Sequence, residues 1–339
     1  MEQKNIFIVL GMARSGTSAI TRSLKALGIE LGDKLTKGRE KWNPTGFWED
    51  NEIVYKIHKE IFSCLNFPPY GIETPDRDQL LSEQLQYIRN FAIELLKQRF
   101  ANTCYWAFKD PSTVKLLPFW QSILDELAIK EHYIISLRHP LAVAQSYHRV
   151  TGHDIEVGLL LWIAHVIPAI DETLRKKNVV VSYDLLLQKP KEQLERIKNH
   201  LAIPTLTKNL EIDFYTNQFL DKNLQHFDGK VDLQPPKQII NFCMKVYQLG
   251  MQLAQDEITS EHEAFLSSWQ EIKNELEEIY SVYCYVDKLL KRIHQLENQL
   301  RNINKSIAWK MLYPLRKVDD LLRARRKDIR KLNRLLKAY

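Results

Sequence analysis

Residues 11–18, Gly-Met-Ala-Arg-Ser-Gly-Thr-Ser, follow the apolar run Ile6–Leu10 and lead into Ile20, Leu24 and Leu27 at helical spacing. Gly11 and Gly16 keep the Gly-x4-Gly spacing of a loop whose backbone N–H groups close on an anion at a helix N-terminus. In nucleoside triphosphate hydrolases a lysine follows the second glycine and reaches the β and γ phosphates. Here Thr17 holds that place, which disfavours triphosphate hydrolysis. Arg14, inside the loop, can instead grip an anionic group through two N–H donors.

The elements that must position this loop can be read from hydrophobic patterning. Short β-branched or aromatic runs recur at Asn5–Leu10, Tyr105–Lys109, His132–Leu137 and Val179–Ser182, each leading into a helix-like segment. That alternation predicts an α/β, P-loop-like three-layer fold with a central parallel sheet. Thr17 and Ser18 suit a helix start and Gly28 its end. A helix is predicted over 79–99, and after Phe265 the chain reads as helix throughout. There Ile272, Ile279, Val286, Ile293, Leu300 and Ile307 repeat every seven residues, with Val282, Leu289, Leu296 and Ile303 between them. A heptad seam of this kind predicts a long helical, coiled-coil extension, which either packs on its own domain or joins chains into a homo-oligomer. The expected organisation is a catalytic domain over 1–255 and a helical coiled coil with a basic amphipathic tail over 256–339.

The glycine loop resembles that of the sulfotransferase superfamily that uses 3′-phosphoadenosine 5′-phosphosulfate as donor. A second segment, "ISLRHPLAVAQSYHR", is similar to that family's Arg-x-Pro stretch followed by a serine, with Arg138 after a strand and Ser146 on the opening turns of a helix. The resemblance implies that Arg14, Ser15, Gly16, Thr17 and Ser18 hold the 5′-phosphosulfate and that Arg138 and Ser146 hold the 3′-phosphate. An arginine and a hydroxyl aimed at one phosphate combine charge, fixed geometry and a compact donor. "VVVSYDLLLQKP" is similar to a family strand near the nucleotide and brings in Tyr183 and Asp184. "FKDPSTVKLLPFW" looks like the family's Lys-Asp-Pro-Arg segment with Ser112 in the arginine position, and Gln225 stands where a late segment often carries arginine.

Sulfuryl transfer needs a base for the acceptor hydroxyl and cations for the leaving phosphate. Glu49, in "NPTGFWEDNE", is the expected base, since the stretch resembles a motif of bacterial carbohydrate-type members. A carboxylate beside Phe47 and Trp48 would have its pKa raised by desolvation. Asp50, His58 and Asp110 are reserve candidates for the base, and Glu49 with Asp50 can alternatively be acids that open the next helix. Lys109 is expected to neutralise the departing phosphate, unless it is a surface ion-pair partner. Trp42 and Trp48 are either a platform for a sugar ring or packing residues of the loop. No metal is expected.

Composition places these motifs in a soluble globular protein: of 339 residues, 45% are hydrophobic and 27% charged. The four cysteines lack the spacing of a zinc site or a disulfide framework. Ile6–Leu10 is too short for a signal peptide and no run is long enough to span a membrane, so a cytoplasmic protein is expected. The net charge of +6 is concentrated in residues 301–339, where 13 Lys or Arg face 3 Asp or Glu. Within that tail "SIAWKMLYPLR" is similar to a segment of enzymes that build bacterial surface polysaccharides. Basic residues alternating with leucine predict peripheral contact with an anionic inner-membrane face. Nucleic acid is a poorer partner, because no recognition module accompanies the basic patch. The expected activity is sulfation of a carbohydrate hydroxyl; the alternatives are an inactive membrane-associated scaffold subunit and a P-loop nucleotide kinase.

Overall fold

The structure, a computed structural model, describes residues 2–38, 43, 46–68, 71–207, 209–220 and 236–306. Trp42, Gln225 and the basic tail beyond residue 306 lie outside the described residues. In chain order the elements are β1 (Asn5–Leu10), α1 (Thr17–Ala26), a π-helical turn Ile53–His58 running into α2 (Lys59–Cys64), α3 (Arg77–Leu80) and α4 (Gln86–Arg99). There follow β2 (Tyr105–Lys109), α5 (Leu117–Glu126), β3 (Lys130–Leu137), α6 (Pro140–Thr151), α7 (Ile155–Asp171), β4 (Asn178–Ser182), α8 (Tyr183–Gln188) and α9 (Pro190–Leu201). The last helices are α10 (Asn209–Phe214), α11 (Lys237–Ala254) and α12 (Glu263–Lys305).

The four strands form one all-parallel sheet in the order β2-β1-β3-β4. Parallel strands require crossover connections, and the intervening helices cover both faces, so the strands are apolar on both sides. On one face Phe7, Val9, Ala107, Ile134, Val179 and Val181 pack beneath Ile20 and Leu24 of α1 and Leu194, Ile197 and Leu201 of α9. On the other, Phe108 meets Trp120 of α5 at 5.0 Å between ring centroids, and Leu137 lies against Gly250 of α11. The three-layer α/β architecture is thus present. Its strands begin slightly earlier than the sequence suggests, at Lys130 and Asn178, because parallel pairing with β1 and β3 extends them beyond their apolar cores.

Helix 79–99 is not continuous. Asp76 and Gln79 form a capping box that starts α3 early; Ser82 then takes an extended conformation and donates to the Gln79 carbonyl at 2.8 Å before α4 begins. Two compact units result along the chain, Met1–Cys284 and Tyr285–Tyr339, and the boundary expected between 255 and 256 falls between α11 and α12 within the first. The four cysteines are free thiols, and no described helix is long and apolar enough to cross a membrane.

In a parallel sheet all strand ends of one kind lie on one edge. The carboxyl ends of β1, β2, β3 and β4 deliver the glycine loop, Lys109 with Asp110, Arg138, and Tyr183 to that edge, where ligands of open α/β sheets bind.

Candidate functional site

The glycine loop is braced from below by the strand beside it. Ser15 is fully buried; its hydroxyl donates to the Met12 carbonyl at 2.7 Å, and the Ser136 hydroxyl donates to the Ser15 carbonyl at 2.9 Å. Ser15 therefore holds the loop rather than presenting its side chain upward. Arg14 adopts a left-handed backbone, φ 76°, and Gly16 another, φ 96°. At Gly16 a Cβ would sit 2.2 Å from the Tyr183 ring, so only glycine permits Tyr183 to close under the loop. Next begins α1, with no acidic residue in its first turn to compete for an anion. Its leading N–H groups have no intrahelical partner, and the helix dipole favours negative charge there.

The structure brings the two expected anion-binding segments into contact. Arg14 Nε donates to Ser146 Oγ at 3.0 Å, and Arg138 Nη1 donates to the Arg14 carbonyl at 3.0 Å. Arg138 lies over the Tyr183 ring at 4.8 Å, and its carbonyl accepts from Trp162 Nε1 at 3.1 Å. α6, which carries Ser146, is held by close packing: a Cβ on Gly158 of α7 would lie 2.8 Å from the Ala144 backbone. Burial lowers the pKa of the Arg14 guanidinium, and the charges of Arg138 and Arg149 lower it further. Arg138 is also lowered, mainly by burial, with Arg149 adding to the effect and Tyr183 and Asp184 opposing it. The charge of Arg149 thus acts on both guanidinium groups, and Arg138 Nε is buried with no hydrogen-bond partner among the described residues. A cationic cluster with an orphaned donor fits an anionic ligand with more than one charged group, such as a nucleotide carrying two phosphates.

Beside the loop lies a cavity of about 470 Å³, lined among others by Arg14, Thr17, Ser18, Glu49 and Lys109. Lys109, 2% exposed at its side chain, pairs with Glu49 Oε1 at 2.6 Å. Burial raises the Glu49 pKa above the ordinary glutamate value; the Lys109 charge and hydrogen bond oppose the rise and the Asp110 charge reinforces it. Lys109 is therefore not a surface residue, and Glu49 does not open the following helix. That role falls to Asp50, whose carboxylate accepts from the Glu52 and Ile53 N–H groups and is locked to Arg99 at 2.7 Å. Asp50 is 1% exposed and thereby removed as a base. Ser18 donates to the Phe47 carbonyl at 3.2 Å and accepts from Asn43 Nδ2 at 3.0 Å, tying the Glu49 loop to α1.

Trp48 turns away from Glu49. It adopts a left-handed backbone, φ 59°, and packs on Phe219 with Arg22 at 5.6 Å from its ring, which makes it a packing residue of the loop. Deeper in the cavity wall, His58 Nδ1 lies 2.6 Å from Asp110 Oδ2 while His58 Nε2 accepts from Trp120 Nε1 at 2.8 Å. The Trp120 bond fixes His58 as the neutral Nδ1–H tautomer, a donor to Asp110 and not a base. Ser112 Oγ donates to the same Asp110 oxygen at 2.6 Å, so the serine in the arginine position anchors Asp110. Burial alone would raise the Asp110 pKa, but the hydrogen bonds from His58 and Ser112 outweigh it and hold the carboxyl below the ordinary aspartate value.

Of the expected residues, Arg14, Thr17, Ser18, Glu49 and Lys109 share the cavity, while Arg138, Ser146 and Tyr183 stand behind Arg14. Sequence patterning missed Arg149, Ser136 and Trp162. Arg149 had a signal, lying one helical turn after Ser146 on α6; Ser136 was the polar residue within the apolar run Tyr133–Leu137 of β3. No group of three His, Cys, Asp or Glu able to hold a metal occurs among the described residues.

No family model and no curated protein matches the sequence. Among solved structures the chain is similar to the sulfotransferase domain from the Synechococcus PCC 7002 olefin synthase, at 18% identity and TM-score 0.40, covering 72% of this chain and 95% of that one. It is also similar to the sulfotransferase STF1 from Mycobacterium tuberculosis H37Rv, at 12% identity and TM-score 0.39, covering 73% of this chain and 77% of that one.

Proposed function

We propose that the chain is a sulfotransferase that moves a sulfuryl group from 3′-phosphoadenosine 5′-phosphosulfate to a hydroxyl of a carbohydrate. The observation that carries this reading is the joined cluster of Arg14, Ser146 and Arg138 standing beside the pair of half-buried Glu49 and buried Lys109. The cluster suits the two anionic ends of such a donor, and the pair suits deprotonation of an acceptor in the adjoining cavity.

Bound at the loop, the donor supplies an electrophilic sulfur bonded to a phosphate that can leave. Glu49 accepts the acceptor's hydroxyl proton as that oxygen bonds to sulfur, and its raised pKa makes it a stronger base than an exposed glutamate. Lys109, Arg14 and the N-terminus of α1 stabilise the electron pair that passes to the phosphate oxygen as the sulfur–oxygen bond breaks. Once Glu49 has taken the proton, Lys109 loses its counter-charge and is freed toward the departing group. The ring of Tyr55, which is 48% exposed at the cavity lining, suits the apolar face of a sugar. A role in surface polysaccharide synthesis on an inner-membrane face belongs to this reading and rests on the tail outside the described residues.

Thermal-shift measurements on the full chain test it. Stabilisation by 3′-phosphoadenosine 5′-phosphate and not by ATP is expected. Preferential stabilisation by ATP would favour a kinase, and no response to either would favour a scaffold subunit.

A further inference from the structure

The seam of α12 carries an interaction surface that neither the site nor the sheet uses. Leu289, Ile293, Leu296, Leu300 and Ile303 are between 43% and 60% exposed along one face of a single helix. The helix is not uniformly bare: Asp287 is buried and pairs with Lys291 at 3.0 Å on the opposite side. A continuous apolar stripe rimmed by polar residues marks a contact surface.

We propose that this face is a parallel, in-register, two-stranded coiled coil with a second copy of the chain. Three observations select that occupant and orientation. Apolar residues recur at the first and fourth positions of successive heptads, from Ile279 and Val282 through Leu300 and Ile303, over about 36 Å at 1.5 Å per residue. In the two central heptads β-branched Val286 and Ile293 occupy the first position and Leu289 and Leu296 the fourth, the combination that favours two parallel strands; the end heptads, Ile279 with Val282 and Leu300 with Ile303, do not share it. The flanking charges are complementary to themselves: Arg292 and Glu297 lie on opposite sides of the seam, and in a parallel pair each Arg292 faces Glu297 of the second copy. On one helix the two are five residues apart and do not face each other.

Light scattering on the full chain tests the proposal. The wild type is expected at twice the 40.0 kDa chain mass, and Ile293→Glu with Leu296→Glu at the single-chain mass. Both positions are exposed in the single chain, so the double variant keeps its helical circular dichroism. Arg292→Glu alone or Glu297→Arg alone weakens the dimer, and the two together restore it. A wild type at 40.0 kDa, a mass above two chains, or a seam variant that stays dimeric would overturn the proposal. Failure of the paired charge reversal to restore the dimer would overturn the parallel register.

Discussion

The Glu49–Lys109–Asp110 arrangement makes a prediction with a defined sign at each residue. Glu49 must be ionised to accept a proton, so kcat/KM rises with pH through its pKa, which burial places above the ordinary glutamate value. Lys109, 2.6 Å away, opposes that rise; an opposite charge at such range typically lowers a carboxyl pKa by about 1–3 units. Lys109→Met therefore moves the acid limb of the profile up by roughly that amount, in addition to any loss of rate. Asp110→Asn removes a negative charge that pushes Glu49 up, and moves the same limb down. Glu49→Gln removes the base and lowers kcat by about 10²–10⁴, or roughly 3–5 kcal/mol, while nucleotide affinity holds. The assay is sulfate transfer to a carbohydrate acceptor between pH 4.5 and 9. An acid limb that neither Lys109→Met nor Asp110→Asn displaces, or near wild-type turnover by Glu49→Gln, would refute the assignment of Glu49 as base.

Gly16→Ala combines a positive φ, costing about 1–2 kcal/mol, with a clash on the Tyr183 ring worth about 1–3 kcal/mol. Urea unfolding is expected to show the combined loss, and Tyr183→Ala in the same chain should recover only the clash; strict additivity of the two variants would contradict the packing described. Trp120→Phe deletes the donor to His58 Nε2 and is expected to cost about 1–3 kcal/mol. Nitrogen NMR of the wild type should find the His58 proton on Nδ1, and a proton on Nε2 would reverse the roles given to the Trp120–His58–Asp110 chain.

Local signals sufficed where function and fold sit in one contiguous stretch. The strand, glycine loop and α1 were legible because apolar run, turn glycines and helical spacing follow one another within residues 5–28, and Gly28 does end the helix at φ 90°. Arg138 and Ser146 were legible through the resemblance of their segment to that of a known family, as a spaced pair on a strand end and the next helix. Contacts across elements left no such trace. Lys109 and Glu49 are far apart in sequence, and only the parallel register that sets Lys109 against Val9 brings the lysine to the edge where the Glu49 loop folds over α1. Asp50 and Glu49 are adjacent acids with the same local pattern; Arg99, delivered by α4, separates the helix cap from the cavity carboxylate. The break in 79–99 escaped because Ser82 interrupts a stripe that stays apolar on both sides of it.

The central claim is that one nucleotide is gripped at both phosphates, with Arg138 and Ser146 serving the 3′ end. Calorimetry of 3′-phosphoadenosine 5′-phosphate against adenosine 5′-monophosphate tests it most directly. A charge-assisted contact of about 1.5–3 kcal/mol predicts a preference of roughly 10- to 150-fold for the diphosphate in the wild type. Arg138→Ala should abolish that preference, while Arg14→Ala weakens both ligands alike. Equal affinity of the wild type for the two nucleotides, or an undiminished preference in Arg138→Ala, would contradict it.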